Sequence, residues 1–405
     1  MRRRVVVTGA GVFSAIGNDR AGLERSLRAG EDGFRPIRAF PTEAYPHDRA
    51  AVLAGPPPGC TELEREHPEW EAADRYGVAC ARRALADAGL DPAALDPLRT
   101  AVVVASSNAG VETSHRHAAR RLAGEGRPGD TVLRTPATAA ATIRRSLGLC
   151  GPQLAVSTAC AAGSNALGLA RDLIVDGFAE LAIAGGVEPF SELSFSGFTL
   201  LKSLSPGPSR PFDEHRDGTG LGEAACLLVL EDAERAERRG ARALGEILGY
   251  GLSDDAHHAT APDPQGRGAR SAIEQCLQDA GLRPQEVDYV NAHGTGTRYN
   301  DPMELRALRE VFGRRLAEIP VSSTKPLHGH TLSCAGSLEA LVCLLAIAGG
   351  FVPGNAGIVE PMHGAEGLCI PARSVPGPGL RTAISTSFGF GGNNTCIALR
   401  GTAAA

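Results

Sequence analysis

Three stretches of the chain put reactive side chains where a run of aliphatic residues gives way to small polar ones: Val156-Ser-Thr-Ala-Cys160-Ala-Ala-Gly-Ser-Asn165, Tyr289-Val-Asn-Ala-His293-Gly-Thr-Gly-Thr297 and Val321-Ser-Ser-Thr-Lys325-Pro-Leu-His-Gly-His330. In the first, Leu154–Val156 reads as a buried strand, and Leu167, Ala170 and Ile174 recur at helical spacing beyond the turn, so Cys160 falls at a helix N-terminus. The positive end of the helix dipole and its free N–H groups favour thiolate over thiol there, and strand, tight turn and helix together make a nucleophile elbow. Packing as a small hydrophobe is the alternative, and the remaining cysteines, spread without a C-x-x-C pair, read that way. A histidine flanked by glycine and threonine at a strand end is poorly placed for a core and well placed to face a pocket. Taken singly, His293 and His330 still read as structural histidines or metal ligands.

Of the 41 lysines and arginines, only Lys202 and Lys325 are lysines. A compact ammonium kept in Ser323-Thr-Lys325-Pro326, in a chain that otherwise writes arginine, points to a cation inside the site where a guanidinium does not fit. His115-x-His117, His257-His258 and His328-x-His330 lack the helical H-x-x-x-H spacing and an accompanying carboxylate pattern, so no metal site is expected.

The elements that must hold these residues show as an alternation. Val5–Val7, Thr100–Val104, Leu154–Val156, Leu181–Ala184, Cys226–Leu230, Val287–Val290 and Thr382–Thr386 read as strands, with helices predicted over Glu71–Ala88, Asn165–Asp176, Gly268–Ala280 and Gly336–Ala348. The pattern is that of an α/β fold with a largely buried sheet. Val102-Val-Val-Ala-Ser-Ser-Asn108 echoes Asp288-Tyr-Val-Asn-Ala-His293, a weak sign of internal duplication. With 405 residues, 43% hydrophobic and 4% aromatic, the chain can bury a large core of Ala, Val, Leu and Ile, as two domains or one duplicated one. A net charge of −5 argues against nucleic acid as the main partner, so any anionic partner must meet a local basic patch. Three valines after Arg2–Arg4 are too few for a signal-peptide core, and no apolar run approaches the roughly eighteen residues of a membrane span. A cytoplasmic protein that does not engage a membrane is expected.

Together the three stretches resemble the β-ketoacyl-acyl-carrier-protein synthases, decarboxylating condensing enzymes of the thiolase superfamily. Further marks of the resemblance are Arg4-Val-Val-Val-Thr-Gly-x-Gly, Gly185-Gly-Val-Glu188, Ser209-Arg-Pro-Phe-Asp213, Asp217-Gly-x-x-Leu-Gly-Glu223 and Ser387-Phe-Gly-Phe-Gly-Gly-Asn-Asn394, in order along nearly the whole chain. The resemblance implies a thiolase-like fold, a duplicated αβαβα architecture of five layers with two mixed sheets, divided into a half at 1–240 carrying the cysteine and a half at 241–405 carrying the two histidines. It implies a Cys160-His293-His330 triad in which Cys160 takes an acyl group from a carrier-protein thioester, its oxyanion held by the backbone N–H groups of Cys160 and Phe390. His293 and His330 then steady the charge on malonyl-carrier protein as it loses its carboxylate, and the carbanion attacks acyl-Cys160.

By the same resemblance Lys325 and Glu339 form a buried pair, Phe390 gates the acyl pocket with Phe388 supporting it, and Thr295 and Thr297 hold the malonyl unit or pantetheine arm. Lys202 and Arg210 make the docking patch for an acidic acyl carrier protein, and Asn108 lines the acyl tunnel and biases it towards a polar or polyunsaturated chain. No cofactor is implied beyond the phosphopantetheine of the carrier. A homodimer is expected, or a heterodimer with a chain-length-factor-like subunit. The chain departs from the family's usual pattern at Gly222-Glu-Ala-Ala-Cys226 and Ser333-Cys-Ala-Gly336, which puts pocket shape in question.

Two other readings compete. A non-catalytic chain-length factor shares the expected fold, but it lacks the nucleophile that this chain has. A nucleotide-dependent reductase is suggested by Val5-Val-Val-Thr-Gly-Ala-Gly11, yet Ser14 stands where the third glycine of G-x-G-x-x-G belongs. The stretch is better read as a core strand and its turn.

Overall fold

The computed structural model describes residues 3–125 and 134–402. Strand β1 (Val5–Ser14) is buried throughout and runs straight through Thr8-Gly9-Ala10-Gly11, so the expected turn after the valines does not form. The glycines stand where helix α1 (Ala72–Asp87) crosses the strand: a Cβ on Gly9 would lie 2.6 Å from the Ala88 nitrogen, and one on Gly11 3.0 Å from that of Ala84. Close approach of a helix, not of phosphate, is what they serve.

The other strands of the main sheet are β2 (Thr100–Ala105), β3 (Gln153–Val156), β4 (Leu181–Glu188), β5 (Ala224–Asp232), β6 (Gly245–Asp254), β7 (Tyr289–Asn291), β8 (Val321–Ser322), β9 (Thr382–Phe388) and β10 (Asn393–Arg400). Their spatial order is β8-β7-β9-β10-β6-β1-β5-β4-β2-β3. The first five therefore lie in the order β3-β2-β4-β5-β1 and the last five in the order β8-β7-β9-β10-β6, with the same succession of parallel and antiparallel pairings. One arrangement occurs twice. The echoing segments around Val102 and Asp288 are β2 and β7, the second strand of each copy. The two mixed sheets are joined rather than separate, because the first strands of the copies pair with each other over Val5–Val7 and Gly245–Ile247.

Helices α2 (Ala162–Val175) and α6 (Ala335–Gly349) fill the space between the two copies, while α1 covers one outer face and α4 (Arg267–Ala280) and α5 (Asn300–Phe312) the other; α3 (Glu192–Leu200) lies after β4. Strand alternation sorts side chains into these layers. On β2, Ala101, Val103 and Ala105 join Leu167 and Leu341 in the centre, while Val102 and Val104 pack with Cys80 and Ala84 of α1. On the other copy Ala383 and Ile397 face the centre, and Ile384 and Cys396 pack with Ile273 and Leu308. The result is the five-layer α/β/α/β/α order.

Apart from Ser337 and Glu339, helix α6 is apolar on all sides, as suits a helix surrounded by protein. Leu332–Gly349 is long and apolar enough to cross a membrane by composition, yet 83% of it is buried inside the molecule. The two central helices meet through glycine: a Cβ on Gly163 would lie 2.7 Å from the Ser333 carbonyl oxygen, and one on Gly336 2.5 Å from the Ser164 nitrogen. Strand β3, expected to be buried, is instead the outer edge of the sheet, with Leu154 and Ala155 exposed, because pairing with β2 uses only one of its sides.

Candidate active site

Beyond β3 the chain turns through a single 3-10 turn, Ala159–Ala161, before α2 begins. Ala159 has φ +48°, a left-handed conformation that a residue with a Cβ adopts only under constraint. This strain turns the chain so that Cys160 sits at the head of α2, the predicted elbow. The sulfur accepts hydrogen bonds from the backbone N–H groups of Phe390 and of Cys160 itself. His330 Nε2 lies 3.0 Å from Sγ. The expected ready thiolate does not follow, however. Burial pushes the thiol up to about 12, against the Lys325 ammonium and the two N–H groups, which pull it down. Loss of water around the charge outweighs the helix terminus.

His330 comes from the second copy, after β8 and the short helix Lys325–His328. Its backbone is fixed between the N–H of Gly222 and the carbonyl of Gly220, 2.9 and 2.7 Å away. His293 follows β7, and its ring meets that of His330 edge-on at 5.3 Å and that of Phe388 at 5.8 Å. Burial and the field of Lys325 hold both imidazoles well below the usual histidine range, so both are neutral at pH 7. Lys325 is fully buried and paired with Glu339, whose carboxyl burial pushes up to about 7 while the ammonium pulls it down. The ammonium touches neither reacting sulfur nor imidazole among the hydrogen bonds of the site. It acts on them through its charge.

Two carboxylates that the motifs did not single out hold the His293 loop. Glu304 accepts from the backbone N–H groups of His293 and Gly294, each at 2.8 Å, and Asp301 from those of Phe212 and Gly296 at 2.9 and 3.2 Å. Their signal was present as two acids three residues apart, opening α5 right after the His293 stretch.

The cleft above the sulfur is lined by Cys160, His293, His330, Phe388 and Phe390, with Thr295 and Thr297 on its rim and their hydroxyls 2.9 Å apart. Phe390 stacks on Phe198 of α3, centroids 5.5 Å apart. Three predicted residues lie elsewhere. Lys202 is exposed beyond α3 with φ +53°. Arg210 does not form an open patch with it, because its guanidinium is spent on Asp217, at 3.2 Å, and on the His215 carbonyl. Asn108 lines a separate cavity rather than this cleft.

The second copy repeats the elbow. Leu332 has φ +48°, the 3-10 turn Leu332–Cys334 follows, and α6 begins, so Ser333 stands where Cys160 stands in the first copy. Ser333 is fully buried. Its hydroxyl bonds to that of Ser107 and to Glu188, which also accepts from the N–H groups of Ser107, Asn108 and Ser333 at 3.0, 2.8 and 3.1 Å.

Comparison with known proteins bears on this arrangement directly. The family described as beta-ketoacyl synthase, N-terminal domain, matches residues 2–236, and its C-terminal domain matches residues 244–358. The chain is 34% identical to 3-oxoacyl-(acyl-carrier-protein) synthase 2 of Coxiella burnetii, over 98% of each chain. Among solved structures, the ishigamide ketosynthase/chain length factor superposes with a TM-score of 0.92 at 34% identity, over 99% of this chain and 100% of that one. A type II PKS ketosynthase in complex with its acyl-carrier protein gives 0.88 at 28%, with the same coverage.

Proposed function

The chain belongs to the β-ketoacyl synthase family and is an acyltransferase that condenses acyl thioesters with malonyl-acyl carrier protein; we propose that Cys160, His293 and His330 carry this reaction. The observation that carries the assignment is the 3.0 Å contact between Sγ of Cys160 and Nε2 of His330 at a strained elbow, with His293 alongside.

With its proton on Nε2, His330 donates to the sulfur, which then lies where three N–H donors converge. In the first step the sulfur attacks the carbonyl carbon of the incoming thioester. The new C–S bond forms as the pantetheine C–S bond breaks, and the thiol proton ends on the departing carrier thiolate. The N–H groups of Cys160 and Phe390 hold the oxyanion. In the second step the malonyl thioester oxygen takes the N–H donors of His293 and His330 while carbon dioxide leaves, and the enolate carbon attacks the carbonyl carbon of acyl-Cys160; the new C–C bond forms as the C–S bond to Cys160 breaks, and the released thiolate takes a proton from solvent to restore the thiol. Neutral imidazoles suit this task, since they donate without fixing a full charge beforehand. Burial keeps them neutral, and the charge of Lys325, held by Glu339, adds to it. Thr295 and Thr297 hold the malonyl or pantetheine arm, and Phe390, backed by Phe388, gates the acyl chain. No step calls for a cofactor or metal beyond the carrier's phosphopantetheine.

The partner is an acidic acyl carrier protein, met at Lys202 with Arg210 in a lesser role. The exposed edge of β3, with its unpaired backbone groups and Leu154, supports pairing with a second subunit, an identical chain in our reading. In our reading the chain works in the cytoplasm, alongside its carrier-bound substrates. A chain-length-factor role has no use for the Cys160–His330 contact, and nothing in the site favours it.

The test is release of carbon dioxide from malonyl-carrier protein, set beside acyl transfer to Cys160. His330→Ala is expected to retain acylation and to lower decarboxylation by about 10²–10⁴-fold, the range for losing a proton-donating group. Equal loss of both steps contradicts the division of roles.

A further inference from the structure

The hydroxyl of Tyr250, on β6 of the second copy, donates to Oδ1 of Asn165 on α2. The Asn165 amide donates in turn, through Nδ2, to Oγ1 of Thr158, 2.5 Å away. Thr158 is the residue before the strained Ala159, and its carbonyl accepts from the Ala161 N–H at 3.2 Å, closing the turn that carries Cys160. Asn165 is buried, and burial holds the Tyr250 phenol above its usual range, so the hydroxyl stays a donor. Gly168, one turn further along α2, lets the ring come this close: a Cβ there would lie 2.5 Å from the Cγ of Tyr250.

The other elbow lacks this relay. Strands β1 and β6 are each 10 residues long and carry glycines at their fifth and seventh positions against an outer helix, so Ala10 stands on β1 where Tyr250 stands on β6. Counted from Ser333 as from Cys160, Leu338 takes the place of Asn165, Leu341 that of Gly168 and Thr331 that of Thr158. Ala10, Leu338 and Leu341 all pack in the central core. The Thr331 hydroxyl is buried without a hydrogen-bond partner among the described residues. Both turns are held at φ +48°, yet only at the one with the thiol is the leading threonine tied by side chains to a strand of the opposite copy.

Resting on the ketosynthase reading above, we propose that Tyr250, Asn165 and Thr158 are positioning residues for the nucleophile, setting the elbow so that Sγ of Cys160 meets Nε2 of His330 and the two oxyanion N–H groups. None of the three lines the cleft, so they act through the backbone of the turn. A residue at positive φ keeps its place only where its surroundings over-determine it, and a shift of about 1 Å at a reacting atom costs on the order of 10²-fold in rate. The histidines are anchored elsewhere, His293 by Glu304 and His330 between Gly220 and Gly222. The relay therefore governs attack by the sulfur and leaves decarboxylation to the imidazoles.

The experiment measures two rates on the full-length protein: acyl transfer from butyryl-carrier protein to Cys160, and release of carbon dioxide from malonyl-carrier protein. Tyr250→Phe and Thr158→Val are each expected to lower acyl transfer by about 10–10²-fold while carbon dioxide release stays within about twofold of wild type. Thr158→Ser keeps the hydroxyl and is expected to bring acyl transfer back to within about threefold of wild type. Acyl transfer at the wild-type rate in either Tyr250→Phe or Thr158→Val overturns the proposal and leaves the ketosynthase reading standing. So does an equal fall of both rates, the mark of a general loss of structure. Thr158→Ser that is as slow as Thr158→Val overturns the part assigned to the hydroxyl. Wild type that neither takes butyryl nor releases carbon dioxide brings down both readings together.

Discussion

The two elbows of this molecule share a backbone and differ in everything around it. Each follows the third strand of its copy, each is preceded by a non-glycine residue at φ +48°, and each starts a central helix. At the first, Cys160 opens on a cleft with two neutral imidazoles and feels the Lys325 ammonium. At the second, Ser333 is fully buried, bound to Ser107, and backed by the Glu188 carboxyl, which burial pushes up to about 7. A strained turn at a helix head is thus a place for a nucleophile and not yet a nucleophile. Open space, histidines and the sign of the nearest buried charge make the difference.

The comparison breaks most severely at its charges. Lys325→Ala leaves Glu339 without its partner in the core and is expected to destabilise the protein by about 3–5 kcal/mol, the cost of breaking a buried pair. Urea denaturation checks this, and a loss below about 1 kcal/mol would show the pair to be solvated. Next come the helices that carry the two elbows. Gly163→Ala and Gly336→Ala each place a methyl group against backbone of the opposite helix, so both are expected to cost about 1–3 kcal/mol despite lying in different copies. Thermal unfolding of the two variants measures it, and strong asymmetry would mean that the crossing is not shared equally.

The mildest test is of pH. Because burial holds the Cys160 thiol at about 12, its alkylation by iodoacetamide should rise about tenfold per pH unit from pH 7 to pH 10, without the plateau an ordinary thiol shows. Histidines held well below their usual range stay neutral as pH falls from 8 to 6, so no step is expected near 6.5. A plateau below pH 9 would show that the N–H donors and Lys325 outweigh burial.

Cys160, His293, His330 and Lys325 were legible because each is a reactive or rare residue type at the border of an aliphatic run, and the structure gathers all four. Glu304 and Asp301 were not, since acids at a helix start read equally as partners of the helix dipole. Strand β6 is not legible in the sequence because Gly249 and Gly251 break its apolar run. They are there for α4, whose Cys276 carbonyl oxygen would lie 2.6 Å from a Cβ on Gly249. The fusion of the two sheets depends on pairing between residues some 240 positions apart, which local pattern does not carry. The protonation of Cys160 is illegible for a related reason: the helix head is written in the sequence, and the depth of burial is not. Arg210 shows the same limit, as its bond to Asp217 is visible only once the loop is folded.

Acylation is expected at the first elbow and not at the second. Intact-mass measurement after incubation with acyl-carrier protein tests it in wild type, Cys160→Ala, and Cys160→Ala combined with Ser333→Cys. The predicted result is one acyl adduct on wild type and none on either variant, even though the last has a thiol on the same backbone turn. An adduct on Cys160→Ala, or one regained with Ser333→Cys, would contradict it.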